Sequence, residues 1–353
     1  MRGKTSAVQN AKQKAETTKP RRKEELIHMK FTVEKRLLNE AVTNLQRAVS
    51  AKTSIPALEG ILIRSEENRL LLTAYDLEIG MQTELPAIIS APGAIILTAK
   101  LFAEIVRRSP DEDITIDVDD RNTATITSGV SCFTIIGMDS AEFPELPKIT
   151  DADTIKMPQE LLKSMIRQTL FAVADSTAKP IHQGSLFKIE NGNLDVVSVD
   201  GYRLALRREA INYANNTEFV VPGKTLSEVL KLLKDSEGEV EICPSRRHIL
   251  FRIDNYTVIS ALLEGEFLDY KSALPKDKKT EALVSTRTMI ESVERVSLLI
   301  TDRLKSPVRC VIGDDTVKLF CTTTMGRATD QIAAEISGDQ LEIGFNNKYL
   351  LDA

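Results

Sequence analysis

The chain repeats itself at a spacing of 124 residues, and this repeat restricts the possible folds more than any other feature. Leu37-Leu38 aligns with Leu161-Leu162, Ala48-Val49 with Ala172-Val173, Pro56 with Pro180, Gly60 with Gly184 and Leu70 with Leu194. The register continues through Asp76 and Asp200, Lys100 and Lys224, Glu104 and Glu228, and Glu142-Phe143 and Glu266-Phe267. A single offset held that far means two copies of one domain. A third copy begins near Leu283, with "MIESVERVSLL" for a first helix, "DTVKLFCTTT" for a strand, and Lys348 lying 124 residues beyond Lys224. To equal the second copy it would need about 40 to 45 further residues, so its sheets are expected to be incomplete. The expected division is a basic extension over 1–28 and three domains over 29–150, 151–277 and 278–353.

Within a copy the periods are legible. "RLLNEAVTNLQRAV" places Leu37, Leu38, Ala41, Val42, Leu45, Ala48 and Val49 on one helical face, and "KLFAEIVRR" does the same with Leu101, Phe102, Ile105 and Val106. Between and after them, "GILIRSEENRLLLTAYDLEIGMQTEL" and "DITIDVDDRNTATITSGVSCFTIIG" alternate and carry the turn-forming "EEN" and "DDRN", the pattern of antiparallel strands. The fold class is therefore α+β: three tandem domains, each with two helices packed on antiparallel sheets that lie outside them.

At 353 residues and 42% hydrophobic, the chain can bury substantial cores. No apolar run approaches the roughly 18 to 20 residues needed to cross a bilayer, and no charged-then-apolar signal segment opens the chain, so the expected compartment is the cytoplasm. Cys132, Cys243, Cys310 and Cys321 are spaced as small core residues rather than as a disulfide framework, and read as free thiols. The first 28 residues hold eight Lys or Arg against three Glu and are expected to be disordered, whereas the remainder holds 38 basic against 48 acidic residues. Two readings of the tail stand: an electrostatic arm for nucleic acid, or an extension ahead of "MKFTVEKRLL".

The basic residues recur in register. Lys100, Lys224 and Lys348 each open a second helix, followed by Arg107 and Arg108 or by Lys231 and Lys234; Lys52, Lys179 and Lys305 each precede a proline that stiffens the loop after the first helix. An acidic protein with positive charge on equivalent helices could present one surface to phosphates without reading base sequence; ordinary solvated helix faces are the alternative. No catalytic, metal or cofactor constellation emerges. The histidines are scattered, His28 in the tail, His182 before a strand and His248 between strands; no phosphate-cradling glycine loop is present, and the Asp-Gly of "VSVDGYRLAL" reads as a turn at a strand end.

Together, "MKFTVEKRLLNEAV", "KTSIPALEGI", "VSVDGYRLA", "AEFPELP", "GEFLDYKSALP" and "LEIGFNNKYLLDA" resemble the bacterial DNA polymerase III beta subunit family, the replicative sliding clamps, over residues 29–353. The resemblance implies a head-to-tail homodimer closing a ring of six similar domains, helices inside and sheets outside, through which double-stranded DNA passes. It implies a processivity factor without catalytic activity, binding DNA without sequence preference and tethering the polymerase III alpha subunit, the clamp loader and other proteins that carry clamp-binding motifs. On that reading Lys52, Lys100, Arg107, Arg108, Lys179, Lys224 and Lys231 face DNA. A peptide-binding pocket has His182, Val199, Gly201, Tyr202, Arg203, Leu204, Leu268, Ser272 and Ala273 as its wall. Phe133 of one protomer meets Leu299 and Ile300 of the next. His182, Leu268 and Ser272 depart from the residues common in the family, and the family's last strands are missing from the third copy, leaving Leu298, Leu299 and Leu350 to be exposed. A monomeric interaction module that does not encircle DNA is the alternative.

Overall fold

The computed structural model describes residues 28–50, 53–149, 153–175, 178–301 and 306–353. Lys52, Lys305 and the expected disorder of the basic tail before His28 lie outside the described residues.

In the first domain β1 (Met29–Glu34) leads into α1 (Lys35–Leu45), then β2 (Gly60–Glu66), β3 (Arg69–Tyr75), β4 (Ile79–Pro86), β5 (Ile88–Ala91), β6 (Ala94–Thr98), α2 (Ala99–Arg108), β7 (Asp113–Val118), β8 (Thr123–Ser128) and β9 (Ser131–Ile136). The second domain has β10 (Ile155–Pro158), α3 (Gln159–Arg167), β11 (Gly184–Glu190), β12 (Asn193–Val199), β13 (Leu204–Ala210), β14 (Thr217–Pro222), α4 (Gly223–Leu232), β15 (Glu239–Pro244), β16 (His248–Ile253) and β17 (Tyr256–Ala261). A connection holding α5 (Tyr270–Ala273) leads to β18 (Thr280–Leu283), α6 (Thr286–Val296), β19 (Val308–Gly313), β20 (Thr316–Thr323), β21 (Gly326–Ala333), β22 (Glu335–Gly338), β23 (Leu341–Phe345) and α7 (Asn347–Asp352).

The apolar periods decide the layers. Leu38, Ala41, Val42 and Leu45 of α1 and Phe102, Ile105 and Val106 of α2 are buried together with Ile61, Ile63, Leu70 and Leu72 from one sheet and Phe31, Ile114, Ile116 and Ile126 from the other. One sheet runs β5-β1-β7-β8-β9; the other, β6-β2-β3-β4, continues through β17 into β16-β15-β10 of the second domain, making eight strands across the boundary. A single core cluster accordingly spans both domains. The second domain's other sheet is β13-β12-β11-β14, and the third domain holds β21-β20-β19-β23 and the pair β18-β22 around its own core of Val293, Val296, Val308, Cys310 and Leu319.

The β4–β17 joint aligns Met81 with Val258 and Thr83 with Tyr256. Asn44 Nδ2 donates to the Tyr256 hydroxyl at 2.8 Å, and Asn255 Nδ2 donates to Thr83 Oγ1 at 2.9 Å. Sheet continuity and side-chain bonds therefore fix the first two domains against each other.

Four details differ from the periodicity reading. Leu101 is 48% exposed rather than core: its counterpart Thr225 sits under β17 with its hydroxyl on Ser260, while β9, the counterpart of β17, pairs only with β8 and has no strand on its outer edge among the described residues. Cys132, on that same open edge, is exposed, whereas Cys243, Cys310 and Cys321 are buried; all four are free thiols. His248 opens β16 rather than lying between strands. Leu298 is 80% exposed, but Leu299 and Leu350 pack against the third core.

Candidate functional site

The helix cations are mostly engaged. Arg107 Nη2 donates to Glu104 Oε2 at 2.6 Å and Arg108 Nε donates to the same oxygen at 3.1 Å. The Arg107 bond, with Arg108 adding to it, holds the Glu104 carboxyl below its ordinary range. Lys231 Nζ donates to Glu228 at 2.7 Å and Lys163 Nζ to Asp235 at 2.7 Å. Lys100 and Lys179 are exposed, with no ion pair among the described residues. Lys224 turns to the domain joint, where its Nζ donates to Asp76 Oδ2 at 2.6 Å and lies 3.5 Å from Glu78. Burial opposes that charge, but the carboxylates prevail and raise the ammonium's pKa.

Asp76 and Asp200, the residues paired by the repeat, build the same turn. Asp76 Oδ1 accepts from the backbone N–H groups of Glu78 and Ile79 at 3.0 and 2.7 Å, and Asp200 Oδ1 from those of Tyr202 and Arg203 at 3.0 and 3.1 Å. The residue after each aspartate has positive φ, +74° at Leu77 and +92° at Gly201, so only the second copy has the residue type suited to it. A side chain at Gly201 would meet nothing within 4 Å, which leaves the backbone there open to approach. Arg203, expected in the pocket wall, points instead to the third domain: Nε donates to Asp200 Oδ2 at 2.8 Å, Nη1 to Asp352 Oδ2 at 2.5 Å and Nη2 to the Phe171 carbonyl at 2.5 Å.

The remaining predicted wall residues gather loosely. His182 is nearly buried and meets Phe267 edge-on, ring centres 5.4 Å apart; burial, then the Lys179 charge, pushes its pKa down, so the ring is neutral at pH 7. Val199 is buried, and Leu204 packs on a small cluster of Ile181, Leu186, Val197, Val220 and Tyr270. Tyr202 is 87% exposed; Leu268 is exposed as well, as are Ser272, whose Oγ donates to the Asp269 carbonyl, and Ala273.

A carboxylate that the sequence reading passed over fixes this arrangement. Buried Asp195 on β12 accepts from Arg208 Nε and Nη2, both at 2.6 Å, and from the Tyr270 hydroxyl at 2.6 Å, anchoring the connection that carries Leu268, Ser272 and Ala273. Burial opposes its charge, but these bonds win and hold the carboxyl below its usual range. The signal lay in "LDVVSV": an acid at a buried position of an apolar strand requires a partner.

Among the described residues, β9 and β21 are open sheet edges at opposite ends of the repeat. Phe133 on β9 occupies the place of Val258 on β17; Val258 is fully buried beneath its neighbour strand, while Phe133 is 38% exposed. Leu298 occupies the place of Arg47, whose Nε lies 3.9 Å from Glu228 across the first joint. Leu299 and Ile300 follow it and pack partly against the third core. Among the described residues no group of His, Cys, Asp and Glu is placed to hold a metal ion, and no helix is long and apolar enough to cross a membrane.

Residues 29–147, 156–269 and 271–353 match, in turn, the N-terminal, central and C-terminal domains of the DNA polymerase III beta subunit. The beta sliding clamp of Bacillus subtilis (strain 168) is 34% identical over 338 residues, covering 92% of this chain and 89% of its own. The crystal structure of the B. subtilis DNA polymerase sliding clamp superposes with a TM-score of 0.89 at 34% identity, and that of a putative DNA polymerase III beta subunit from Eubacterium rectale with 0.87 at 35%. Each covers 92% of this chain and 89% of its own. With all three domains matched in order, the chain belongs to the DNA polymerase III beta subunit family, the sliding clamps.

Proposed function

We propose that two copies of this chain close head to tail into a ring of six domains that encircles duplex DNA and tethers the replicative polymerase, the clamp loader and other motif-bearing partners in the cytoplasm, with no catalysis of its own. The observation that carries this reading is the β4–β17 joint. One domain of this fold continues into the next through that contact, and β9, the counterpart of β17, and β21, the counterpart of β4, are open halves of it among the described residues. Docking β21 of one protomer on β9 of the other, in the register of Met81 on Val258, sets Ala328 opposite Phe133, with Leu298, Leu299 and Ile300 beside them.

In this ring Lys100, Arg107, Arg108, Lys179, Lys224 and Lys231 face the duplex. Most of these cations share a carboxylate, so the lining attracts phosphates without gripping them, and the acidic remainder of the surface repels them. Partners bind by short apolar peptides at the groove of His182, Val199, Gly201, Tyr202, Leu204 and Leu268, a surface with apolar area and an open glycine backbone. Ring closure is tested by light scattering and by retention on DNA. A dimer that stays on nicked circular DNA and is lost when the circle is cut supports the ring. A persistent monomer, or equal retention on both DNAs, sinks it.

A further inference from the structure

The boundary between the second and third domains carries a different ion pair from the boundary between the first two. In the first joint the free oxygen of Asp76 goes to Lys224 of the next domain. In the second, the corresponding oxygen of Asp200 goes to Arg203 of its own loop, while exposed Lys348, the counterpart of Lys224, has no ion pair among the described residues. Arg203 makes the crossing instead. Its guanidinium bonds Asp352, lies 4.2 Å from the Tyr349 ring of α7, and is steadied from beneath by the Phe171 carbonyl and ring.

That arginine sits between Tyr202 and Leu204, so the segment forming the rim of the peptide groove is the segment that holds α7. Its two neighbours cannot move independently of it: the backbone N–H groups of Tyr202 and Arg203 share Asp200 Oδ1, and Leu204 opens β13 opposite Val199. We propose that α7 positions the groove: Asp352 and Tyr349 act through Arg203 to hold Tyr202 and Leu204 in place, so that peptide docking on the second domain and the setting of the third domain are coupled. The inference rests on the groove being the peptide site. Coupling of this kind is reciprocal, so a bound peptide tightens the attachment of α7 by the factor that α7 contributes to peptide affinity.

The probe is a fluorescein-labelled hexapeptide ending in Leu-Phe, titrated by fluorescence anisotropy against the full chain. Leu204→Asp tests the groove, and a loss of about tenfold or more is expected from a charge in an apolar contact. Asp352→Asn tests the coupling. It touches no groove residue except through Arg203 and is expected to weaken binding about 3- to 10-fold, with Asp352→Glu restoring most of the loss. The amide NMR signals of Gly201 and Tyr202 shift in Asp352→Asn without peptide, while those of Thr83 and Asn255 in the first joint stay in place. In the unaltered protein, saturating peptide slows amide hydrogen exchange in α7. If Leu204→Asp abolishes binding while Asp352→Asn leaves affinity and the Gly201 and Tyr202 signals unchanged, the coupling is wrong and the groove stands. If Leu204→Asp binds normally, the groove reading fails and the coupling falls with it.

Discussion

Replacing Phe133 with alanine measures the open β9 edge directly. A phenylalanine side chain buries roughly 200 Å² when covered, and the 38% of Phe133 left exposed corresponds to about 75 Å², or about 2 kcal/mol at 25 cal/mol per Å². A two-fold ring contains this contact twice, so its loss amounts to about 4 kcal/mol, roughly a thousandfold in the dimer dissociation constant. The folded protomer is destabilised as well, because the rest of the ring is already buried within it. Sedimentation equilibrium over a concentration series, with thermal unfolding alongside, separates the two effects. Val258→Ala is the control at the covalently linked joint: Val258 is already fully buried, so that variant lowers the melting temperature, by about 2 kcal/mol of stability, and leaves dimerisation nearly unchanged. A Phe133→Ala protein that dimerises like the unaltered chain would show that β9 is not a ring contact and would refute the equivalence with β17.

Three further outcomes follow from the bonds described. Lys224→Ala leaves the nearly buried Asp76 carboxylate without its cation; since Lys224 is itself half exposed, the cost is about 1 kcal/mol, read as a lower thermal midpoint at pH 7 and faster amide exchange along β4 and β17. Tyr270→Phe removes one donor to Asp195 and costs about 1.5 to 3 kcal/mol at neutral pH. Because the carboxyl of Asp195 is depressed in the folded state, the stability it confers is present above its unfolded pKa and is lost as pH falls through the folded value, so the gap between variant and parent in denaturant titrations narrows below about pH 4 and is absent in an Asp195→Asn background. Maleimide labels Cys132 quickly in the protomer and slowly in the ring, whereas Cys310, buried and with its thiol pushed up to about 11, is labelled only on unfolding; equal rates for the two would contradict the burial pattern.

The repeat made most of the architecture legible, because a period of 124 residues together with helical and strand periodicity specifies one domain and its multiplication. The joints were not legible in the same way. Met81 and Val258 read as ordinary strand residues, and nothing in either segment announces that they pair across a domain boundary. Leu101 illustrates the limit of periodicity: it has the spacing of a core residue but sits where the first domain has no neighbour. At the groove, the Asp-Gly turn was legible from residue type. The direction of Arg203 was not, because it depends on Asp352 and Tyr349, which are 149 and 146 residues further along the chain.

The sharing of carboxylates on the helices also bears on motion. An isolated lysine offers a passing phosphate a well that must be climbed out of before the next phosphate is reached. Arg107, Arg108 and Lys231 already hold Glu104 and Glu228, so meeting a phosphate is an exchange of partners in which the loss of one bond offsets the gain of another. The wells along the duplex, where charges succeed one another about every 1.7 Å, are correspondingly shallow. Mobility falls steeply as such wells deepen, so with the proposed lining the paired glutamates would serve as a lubricant, setting how freely the ring diffuses along DNA, while closure alone would determine whether it stays on.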